Sequence, residues 1–261
     1  MQNKGDALIG YTGFVGSNIL AQRPFDFLYN SKNIGDIQNK TFNLVICAGA
    51  PGTKWIANKN PEQDLAAIES LITCLKTVKC EKFVLISTID AYFPCKEVDE
   101  DTAINKNTLQ PYAKHRRMLE EFVEGNFNAL IIRLPGLFGD GLKKNVIYDL
   151  IHGSTGNINP DSVIQFYWLK YIWQDISKAL EHNLKTVNFA TEPLKLQEII
   201  QKVFKLDTTG QNTPSPAYYD MRTKYSYLWG MDKPYLCSKE KVLEDMKTFA
   251  DNPTRAYNKD F

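Results

Sequence analysis

The sequence predicts an α/β protein with a doubly wound parallel sheet, that is, a parallel central sheet with helices on both faces. Two observations carry this prediction. Short, nearly continuous apolar runs have the length and composition of strands that are buried on both faces. Segments of helical length with one apolar face lie between these runs. Because strand and helix alternate along the chain, a parallel sheet with crossover helices is expected.

The first half of the chain contains the clearest elements. A glycine turn and a short helix, closed by Pro24, follow the first strand. Longer helices are predicted over Pro61–Lys79 and Tyr112–Glu124, where apolar residues recur at helical spacing. The five predicted strands are Ala7–Gly10, Phe27–Asn30, Leu44–Ala48, Phe83–Ser87 and Ala129–Leu134.

Beyond Gly141 the pattern is less regular. An aromatic stretch over Val163–Trp173 fits either a packed core or a surface that stacks a base or a sugar, and Asp175 is interpreted as a helix cap. A loop is expected over 153–160 and a further strand over Thr186–Ala190. The helices expected here are Asn145–His152, Gln174–Asn183, Leu196–Phe204 and Lys239–Phe249.

Composition narrows the class of partner. The chain has 261 residues, 43% of them hydrophobic and 23% charged, which excludes a disordered or collagen-like protein. Its 31 Lys and Arg nearly balance 30 Asp and Glu, so no basic face for nucleic acid is expected. No stretch resembles a signal peptide or a membrane span, and the five cysteines form no C-x-x-C pair. These observations predict a cytoplasmic protein with reduced thiols that binds a small molecule.

A glycine turn carries the first chemical signal. Gly10, Gly13 and Gly16 lie between the first strand and the first helix, where bare backbone lets a pyrophosphate approach a helix N-terminus. The alternative is a turn that is merely tight. The context favours a Rossmann dinucleotide-binding domain over residues 1–140, to which 171–192 return, with 141–261 forming a small α/β substrate lobe.

Several motifs in a fixed order carry a family resemblance over residues 5 to 205. The G-x-x-G-x-x-G spacing with Thr12 before the middle glycine resembles the extended short-chain dehydrogenases/reductases. The later motifs resemble the nucleotide-sugar epimerases, dehydratases and reductases of that superfamily. They are the turn Cys47–Ala50, the segment Ile86–Tyr92, the helix start Pro111–Arg116, the segment Arg133–Gly139 and the stretch Tyr171–Ile176.

The resemblance implies a cofactor site and a choice of cofactor. An acidic residue after the second strand usually selects NAD, and this chain has Asn30, Ser31 and Lys32 there instead. A hydroxyl and a cation favour NADP over NAD. Asp36 and Ile37 resemble the pair that flanks adenine in the family. The implied cofactor-binding residues are Gly10, Thr12, Gly13, Phe14, Val15, Gly16, Asn30, Ser31, Lys32, Ala48, Gly49, Tyr112, Arg116 and Pro135.

The resemblance also implies the catalytic groups. Hydride transfer to a carbonyl carbon requires a proton for the oxygen, and Tyr112 would supply it while Thr88 holds that oxygen. The alternative is a capping Thr and a core Tyr. The family's lysine is replaced by Arg116, whose charge is still expected to lower the pKa of the phenol. His115 is expected to face away from the site.

The implied function is reduction of a keto-sugar carried on a nucleotide. A dehydratase is disfavoured because one carboxylate, Asp90, follows Thr88 where that reaction uses two. Asp90 and Phe138 are candidate substrate contacts, and no metal site is expected because His115, His152 and His182 lie far apart in sequence. The alternatives are a non-catalytic NAD(P)-binding or regulatory protein and a nucleotide-sugar epimerase. The resemblance also implies a homodimer.

Overall fold

The computed structural model describes residues 4–156, 158–207 and 214–252. The strands are β1 (Ala7–Ile9), β2 (Phe27–Tyr29), β3 (Thr41–Cys47), β4 (Lys79–Thr88), β5 (Lys96–Val98), β6 (Ala129–Leu134), β7 (Gly136–Phe138), β8 (Val163–Ile164), β9 (Phe166–Trp168), β10 (Thr186–Asn188), β11 (Leu194–Lys195) and β12 (Asp220–Met221). The α-helices are α1 (Phe14–Gln22), α2 (Lys54–Lys59), α3 (Pro61–Leu75), α4 (Pro111–Asn126), α5 (Val146–Ile151), α6 (Ile172–Glu181), α7 (Leu196–Ile199) and α8 (Lys239–Ala250).

A six-stranded sheet in the order β10-β6-β4-β3-β1-β2 forms the centre of the fold. Strand β1 pairs in parallel with both β2 and β3, and β3 pairs in parallel with β4. The predicted doubly wound parallel sheet is therefore confirmed. The strand order reverses at β1, and ligands of such sheets bind in the crevice beyond the carboxyl ends of the strands at this reversal.

The core explains why the apolar runs fold as strands. All six residues of β6 are buried, and helices α3 and α4 cover the sheet with Ile68, Leu75 and Val123, none of which is exposed. The ring of Phe83 stacks on Phe127 with centroids 4.5 Å apart. Each large apolar side chain buried in this way contributes about 1.5–3 kcal/mol.

The connection between β2 and β3 is short. Residues 30–40 contain one 3-10 turn, Ile34–Ile37, and no strand. No strand therefore adds to the outer side of β2, which lies at an edge of the sheet. In this turn Ile37 is fully buried and Asp36 is exposed. The crevice at the carboxyl ends of the strands is thus bordered on the β2 side by an eleven-residue segment.

Several element boundaries differ from the sequence-based expectation. Helix α3 ends at Leu75, short of the expected Lys79, and Lys79 instead begins β4. Helix α2 was not predicted, because it has six residues and buries only Ala57. The cap interpretation of Asp175 was wrong, since α6 begins at Ile172 and Asp175 lies in its first turn, where a carboxylate favours the helix dipole.

The chain divides into two compact units. The first contains the described residues up to Pro94, together with Thr102–Arg133 and Ile172–Val187. The second contains Cys95–Asp101, Leu134–Tyr171 and the described residues from Asn188 onward. The assignment of 1–140 and 141–261 to cofactor and substrate binding stays a prediction.

The second unit is built from short two-stranded pairings. Strand β7 pairs with β9 and β12 with β5, both in parallel, and β11 pairs antiparallel with β8. The buried Gln165 joins these segments, because its amide donates to the carbonyls of Thr191 and Met221 at 2.5 and 2.6 Å and accepts from the Met221 N–H at 2.8 Å. The expected helix over Leu196–Phe204 is divided into α7 and a π-helical turn, Ile200–Phe204.

Aromatic side chains form much of the core of the second unit. Phe166 and Tyr167 are 2% and 3% exposed. Trp168 stacks on Phe138, with ring centroids 5.6 Å apart, and Phe249 lies beside both rings. The aromatic stretch therefore contributes packing to this unit.

No helix within the described ranges is long and apolar enough to cross a membrane.

No disulfide joins any of the five cysteines, all of which are described. Burial raises the pKa of the Cys47 thiol to about 11, so this thiol stays protonated at neutral pH.

Candidate active site

The glycine turn at the carboxyl end of β1 is close-packed. Gly10 has a φ of +84°, and a Cβ there would lie 2.4 Å from the carbonyl oxygen of Ala48. A Cβ at Gly16 would lie 2.1 Å from the carbonyl oxygen of Gly10. Side chains at these two positions are excluded by backbone, so glycine is required for the turn and for the approach of α1 to it.

The N-terminus of α1 is suited to an anion. Gly13 is the N-cap, and no side chain caps the first turn, which has the N–H groups of Phe14, Val15 and Gly16. Thr12 and Gly13 are both exposed. The backbone donors and the positive end of the helix dipole therefore meet an open surface, which fits the pyrophosphate of a dinucleotide.

The segment after β2 has one side chain that is hydrogen-bonded within the protein and two that are exposed. The side-chain oxygen of Asn30 accepts from the Lys32 N–H at 2.9 Å, and its amide donates to the Tyr11 hydroxyl at 3.1 Å. Ser31 and Lys32 are exposed. Asn30 thus shapes the turn, while a hydroxyl and an ammonium face the surface near the carboxyl end of β1.

The end of β3 lies against the glycine turn. The N–H of Ala48 donates to the carbonyl of Ile9 at 2.9 Å. A Cβ at Gly49 would lie 2.9 Å from the side chain of Ile9. Ala48 and Gly49 therefore lie beside the glycine turn, and their role in cofactor binding stays a prediction.

The structure brings Thr88 and Tyr112 together. Thr88 ends β4 and Tyr112 lies in the first turn of α4, 24 residues later. The Thr88 hydroxyl is near enough to the Tyr112 phenol to lower its pKa. Both residues are 9% exposed. The predicted hydroxyl pair is thus present at one point, at the carboxyl end of the sheet.

A carboxylate and an ammonium adjoin this pair. Oδ2 of Asp90 lies 3.5 Å from Oγ1 of Thr88, and the Asp90 N–H donates to the same oxygen at 3.2 Å. Oδ1 of Asp90 forms an ion pair with Nζ of Lys54, at 2.5 Å. The Asp90 side chain is 16% exposed and that of Lys54 is 43% exposed, so the group extends from a buried hydroxyl to solvent.

Arg116 occupies a buried position beside Tyr112. Its guanidinium donates to the carboxylate of Asp64, to the carbonyl of Pro51 and, at 3.2 Å, to the carbonyl of Tyr112. Its Cζ lies 4.0 Å from the centroid of the Tyr112 ring. Arg116 therefore joins α3, α4 and the loop after β3, and it lies over the ring face of the candidate proton donor.

The expectation that His115 faces away from this region was wrong. Nδ1 of His115 lies 2.7 Å from Oδ2 of Asp64, the oxygen that Arg116 also contacts. Burial opposes ionisation of Asp64, but the hydrogen bonds from Arg116 and His115 outweigh it and lower the pKa of this carboxyl. Asp64 is thus an ionised anchor beneath the site.

The net effect on Tyr112 differs from the sequence-based expectation. Burial raises the pKa of the phenol, and the nearby charge of Asp90 adds to this effect. The charges of Arg116 and Lys54 and the hydrogen bond with Thr88 lower the pKa, as expected of a cation, but burial outweighs them. The phenol is therefore protonated at neutral pH.

Two implied site residues belong to the second unit. Pro135 is buried, and it is the residue that connects β6 to β7 in the sequence. Phe138 is 1% exposed and stacks on Trp168. Within that unit Phe138 therefore contributes to packing, and its ring face is covered.

Sequence reasoning missed Asp64 and Lys54. Asp64 lies at a position of the apolar stripe of α3, together with Ile68, Leu71 and Leu75. A carboxylate at such a position is unusual and signals a buried partner. Lys54 gave a weaker signal, since it begins a helix directly after the loop at the end of β3.

A family model described as the NAD dependent epimerase/dehydratase family matches residues 28–154, which include Thr88, Asp90, Tyr112 and Arg116. No curated protein matches the sequence.

Similar solved structures cover nearly the whole chain. A UDP-glucose 4-epimerase of Thermotoga maritima with UDP-glucose is 14% identical, with a TM-score of 0.72, and the alignment covers 94% of this chain and 97% of that one. A dTDP-4-dehydrorhamnose reductase of Clostridium acetobutylicum is 17% identical, with a TM-score of 0.72 and coverage of 94% and 98%. RMD from Pseudomonas aeruginosa, complexed with NADPH, is 16% identical, with a TM-score of 0.69 and coverage of 95% and 100%.

At these identities the solved structures show a shared fold. The match to the family model adds sequence similarity over residues 28–154, the segment that contains Thr88 and Tyr112. Together they confirm the resemblance of this chain to the extended short-chain dehydrogenases/reductases and, within them, to the NAD-dependent epimerase/dehydratase family.

Proposed function

We propose that the protein is an NAD(P)-dependent oxidoreductase that reduces a keto-sugar attached to a nucleotide. The observation that carries the proposal is that Thr88, at the end of β4, and Tyr112, in the first turn of α4, lie next to one another at the carboxyl end of the sheet. The folds that resemble this chain include a reductase and a protein complexed with NADPH, which supports this class of cofactor and substrate.

The chain offers a binding surface that fits the cofactor. The glycine turn and the uncapped start of α1 would hold the pyrophosphate, and Ser31 and Lys32 would hold the ribose and its 2′-phosphate. Lys32 supports the preference for NADP, because no carboxylate is present at Asn30, Ser31 or Lys32 to repel that phosphate. When bound, the nicotinamide would supply the hydride for the carbonyl carbon.

The chain's own groups would supply the proton. Thr88 would hold the carbonyl oxygen by a hydrogen bond while Tyr112 transfers its phenolic proton to that oxygen. Because the pKa of Tyr112 is raised by burial, the phenol is protonated at neutral pH, as a proton donor must be. Arg116 would position the ring of Tyr112 through its contacts with Asp64 and Pro51.

The direction of the proton transfer separates this proposal from an epimerase. An epimerase begins by oxidising its substrate, and Tyr112 would then have to act first as a base. The raised pKa of the phenol disfavours that role. Epimerases nevertheless occur among the similar folds, so tightly held NAD that is retained on purification would favour this second candidate.

The third candidate is a non-catalytic NAD(P)-binding or regulatory protein. Its support is that Arg116 is engaged with Asp64 and Pro51 at a position where the family has a lysine. This candidate predicts NADPH binding without NADPH oxidation.

A cytoplasmic location and a homodimer are part of the main proposal. Light scattering of the purified protein measures whether it is a dimer.

The test is oxidation of NADPH, followed at 340 nm, with a panel of keto-sugar nucleotides. We expect turnover by the wild type and a loss of about 100-fold or more in kcat for Tyr112→Phe, with the Kd for NADPH unchanged. The Tyr227→Phe variant, which removes an exposed tyrosine hydroxyl away from the candidate site, is the matched control. Turnover that Tyr112→Phe leaves intact would overturn the proposed mechanism.

A further inference from the structure

Four polar groups follow one another from the candidate proton donor to the protein surface. The Thr88 hydroxyl is near enough to the Tyr112 phenol to lower its pKa. Oγ1 of Thr88 lies 3.5 Å from Oδ2 of Asp90, and Oδ1 of Asp90 lies 2.5 Å from Nζ of Lys54. The first two groups are buried, whereas Lys54 has a side chain that is 43% exposed.

Contacts of Asn58, on the same helix as Lys54, fix the position of that helix. Asn58, one turn further along α2, accepts a hydrogen bond from the backbone N–H of Tyr112 at 3.0 Å. Its amide also donates to the side chain of Gln110 at 2.8 Å. The helix that has Lys54 is thus fixed to the start of the helix that has Tyr112.

Arg116 is the other cation beside Tyr112, but it is unsuited to exchange protons. It is 3% exposed and donates to Asp64 and to the carbonyls of Pro51 and Tyr112. A guanidinium does not lose its proton in proteins, whereas an ammonium does so readily when its surroundings favour it. The proton lost in each cycle must therefore be replaced by another route.

We propose that Lys54 and Asp90 form a proton relay that restores the phenol of Tyr112 after each turnover, through the hydroxyl of Thr88. The inference rests on the proposed function, because it needs a reaction that removes the phenolic proton. Lys54 and Asp90 act through Thr88 and Tyr112, so they are positioning and relay residues with no required contact to substrate.

The relay conserves protons. After the phenolic proton has moved to the substrate oxygen, the Tyr112 phenolate accepts the proton of the Thr88 hydroxyl. Thr88 accepts a proton from Asp90, which takes one from the ammonium of Lys54. The resulting amine accepts a proton from solvent. One proton enters from water in each cycle, and all four groups return to their initial states.

The relay makes a prediction that requires no substrate. Replacement of Tyr112 by 3,5-difluorotyrosine lowers the pH at which the phenol ionises, and its single fluorine resonance reports that ionisation. We expect Lys54→Met to move the titration midpoint to higher pH, because a cation is lost, and Asp90→Asn to move it to lower pH, because an anion is lost. Each shift should be about one pH unit.

The matched control is Lys59→Met, which removes an exposed ammonium from the same helix. It should leave the fluorine titration unchanged. A purely structural role of Lys54 and Asp90 would not produce shifts of opposite sign. Unchanged midpoints, or shifts in one direction for both variants, would overturn the proposal.

Rapid-mixing kinetics then tests the relay itself. Tyr112 begins each experiment protonated, so the first turnover does not use the relay. In Lys54→Met and Asp90→Asn we expect one equivalent of NADPH to be oxidised at the wild-type rate, followed by a steady state that is about 10-fold slower or more. A wild-type steady-state rate in both variants would overturn the relay.

The two experiments separate this inference from the proposed function. If the wild type oxidises no NADPH with any keto-sugar nucleotide but the opposed titration shifts are seen, the proposed reduction fails and the coupling of Lys54 and Asp90 to Tyr112 is supported. If the wild type turns over and the shifts are absent, the reduction is supported and the relay is overturned.

Discussion

The guanidinium of Arg116 lies over the ring of Tyr112, with Cζ 4.0 Å from the ring centroid, at the point of the fold where the family places a lysine. The same guanidinium also donates to Asp64 and to the carbonyl of Pro51. One side chain thus connects the candidate proton donor to α3 and to the loop after β3.

Arg116→Lys is expected to weaken both stability and activity. A lysine can place its charge near Asp64, but it lacks the planar fork that reaches Pro51 and the Tyr112 carbonyl at the same time. We expect a loss of about 2 kcal/mol in the free energy of unfolding and about 10-fold in kcat. Urea unfolding and NADPH oxidation measure the two effects. A gain of activity from an inactive wild type would instead support the non-catalytic candidate.

Asp64→Asn is expected to change the dependence of stability on pH. The pKa of Asp64 is lower in the folded chain than its ordinary value, so its contribution is complete above that ordinary value and is lost as the pH falls through the folded pKa. The variant should lose about 3 kcal/mol at pH 7, because Arg116 is left buried without its partner.

Urea unfolding at pH 7 and at acid pH checks this prediction. The difference between wild type and Asp64→Asn should shrink as the pH falls through the folded pKa. Glu69→Gln, on the exposed side of the same helix, should lie within about 0.5 kcal/mol of the wild type. A constant difference at all pH values would contradict the assignment of Asp64 as an ionised anchor.

The rate of the proposed reduction should depend on pH through Tyr112. Burial raises the pKa of this phenol above its ordinary value of about 10, and the proton donor is therefore present throughout the neutral range. We expect kcat to show no loss from Tyr112 ionisation up to about pH 9 and to fall at alkaline pH. An alkaline limb centred near pH 7 would be inconsistent with this environment.

Gly16→Ala should disrupt the cofactor crevice. A Cβ there would lie 2.1 Å from the Gly10 carbonyl oxygen, so α1 would have to move away from the turn. We expect a loss of about 2 kcal/mol in stability and at least 10-fold weaker NADPH binding, measured by fluorescence. Gly125→Ala, near the end of α4, is the control, because a Cβ built there meets no neighbouring side chain or backbone within 4 Å.

Lys32→Glu should change the preference between cofactors. Lys32 is exposed after β2, where a carboxylate would repel a 2′-phosphate and accept from ribose hydroxyls. We expect the ratio of the Kd values for NADPH and NADH to shift toward NADH by about 10-fold, or about 1.4 kcal/mol. Lys59→Glu, with the same change of charge, should leave the ratio unchanged. A fixed ratio in Lys32→Glu would remove this residue from the cofactor site.

The sequence predicts the sheet well because strands buried on both faces must be apolar throughout, as the six buried residues of β6 illustrate. The family resemblance also implies that Thr88, at the end of β4, and Tyr112, at the start of α4, lie close together. The sequence does not predict which charges pair beneath them. The contact of Asp64 with both Arg116 and His115 depends on how α3 packs against α4, and amphipathic spacing does not specify that packing.

The short strands at the two borders of the six-stranded sheet affect the behaviour of the protein at high concentration. β2 and β10 have three residues each, whereas β4, in the interior, has ten. A border strand of three residues presents few unpaired backbone groups on which the strand of another molecule could add. The two short border strands thus leave the sheet with little template for edge-to-edge aggregation.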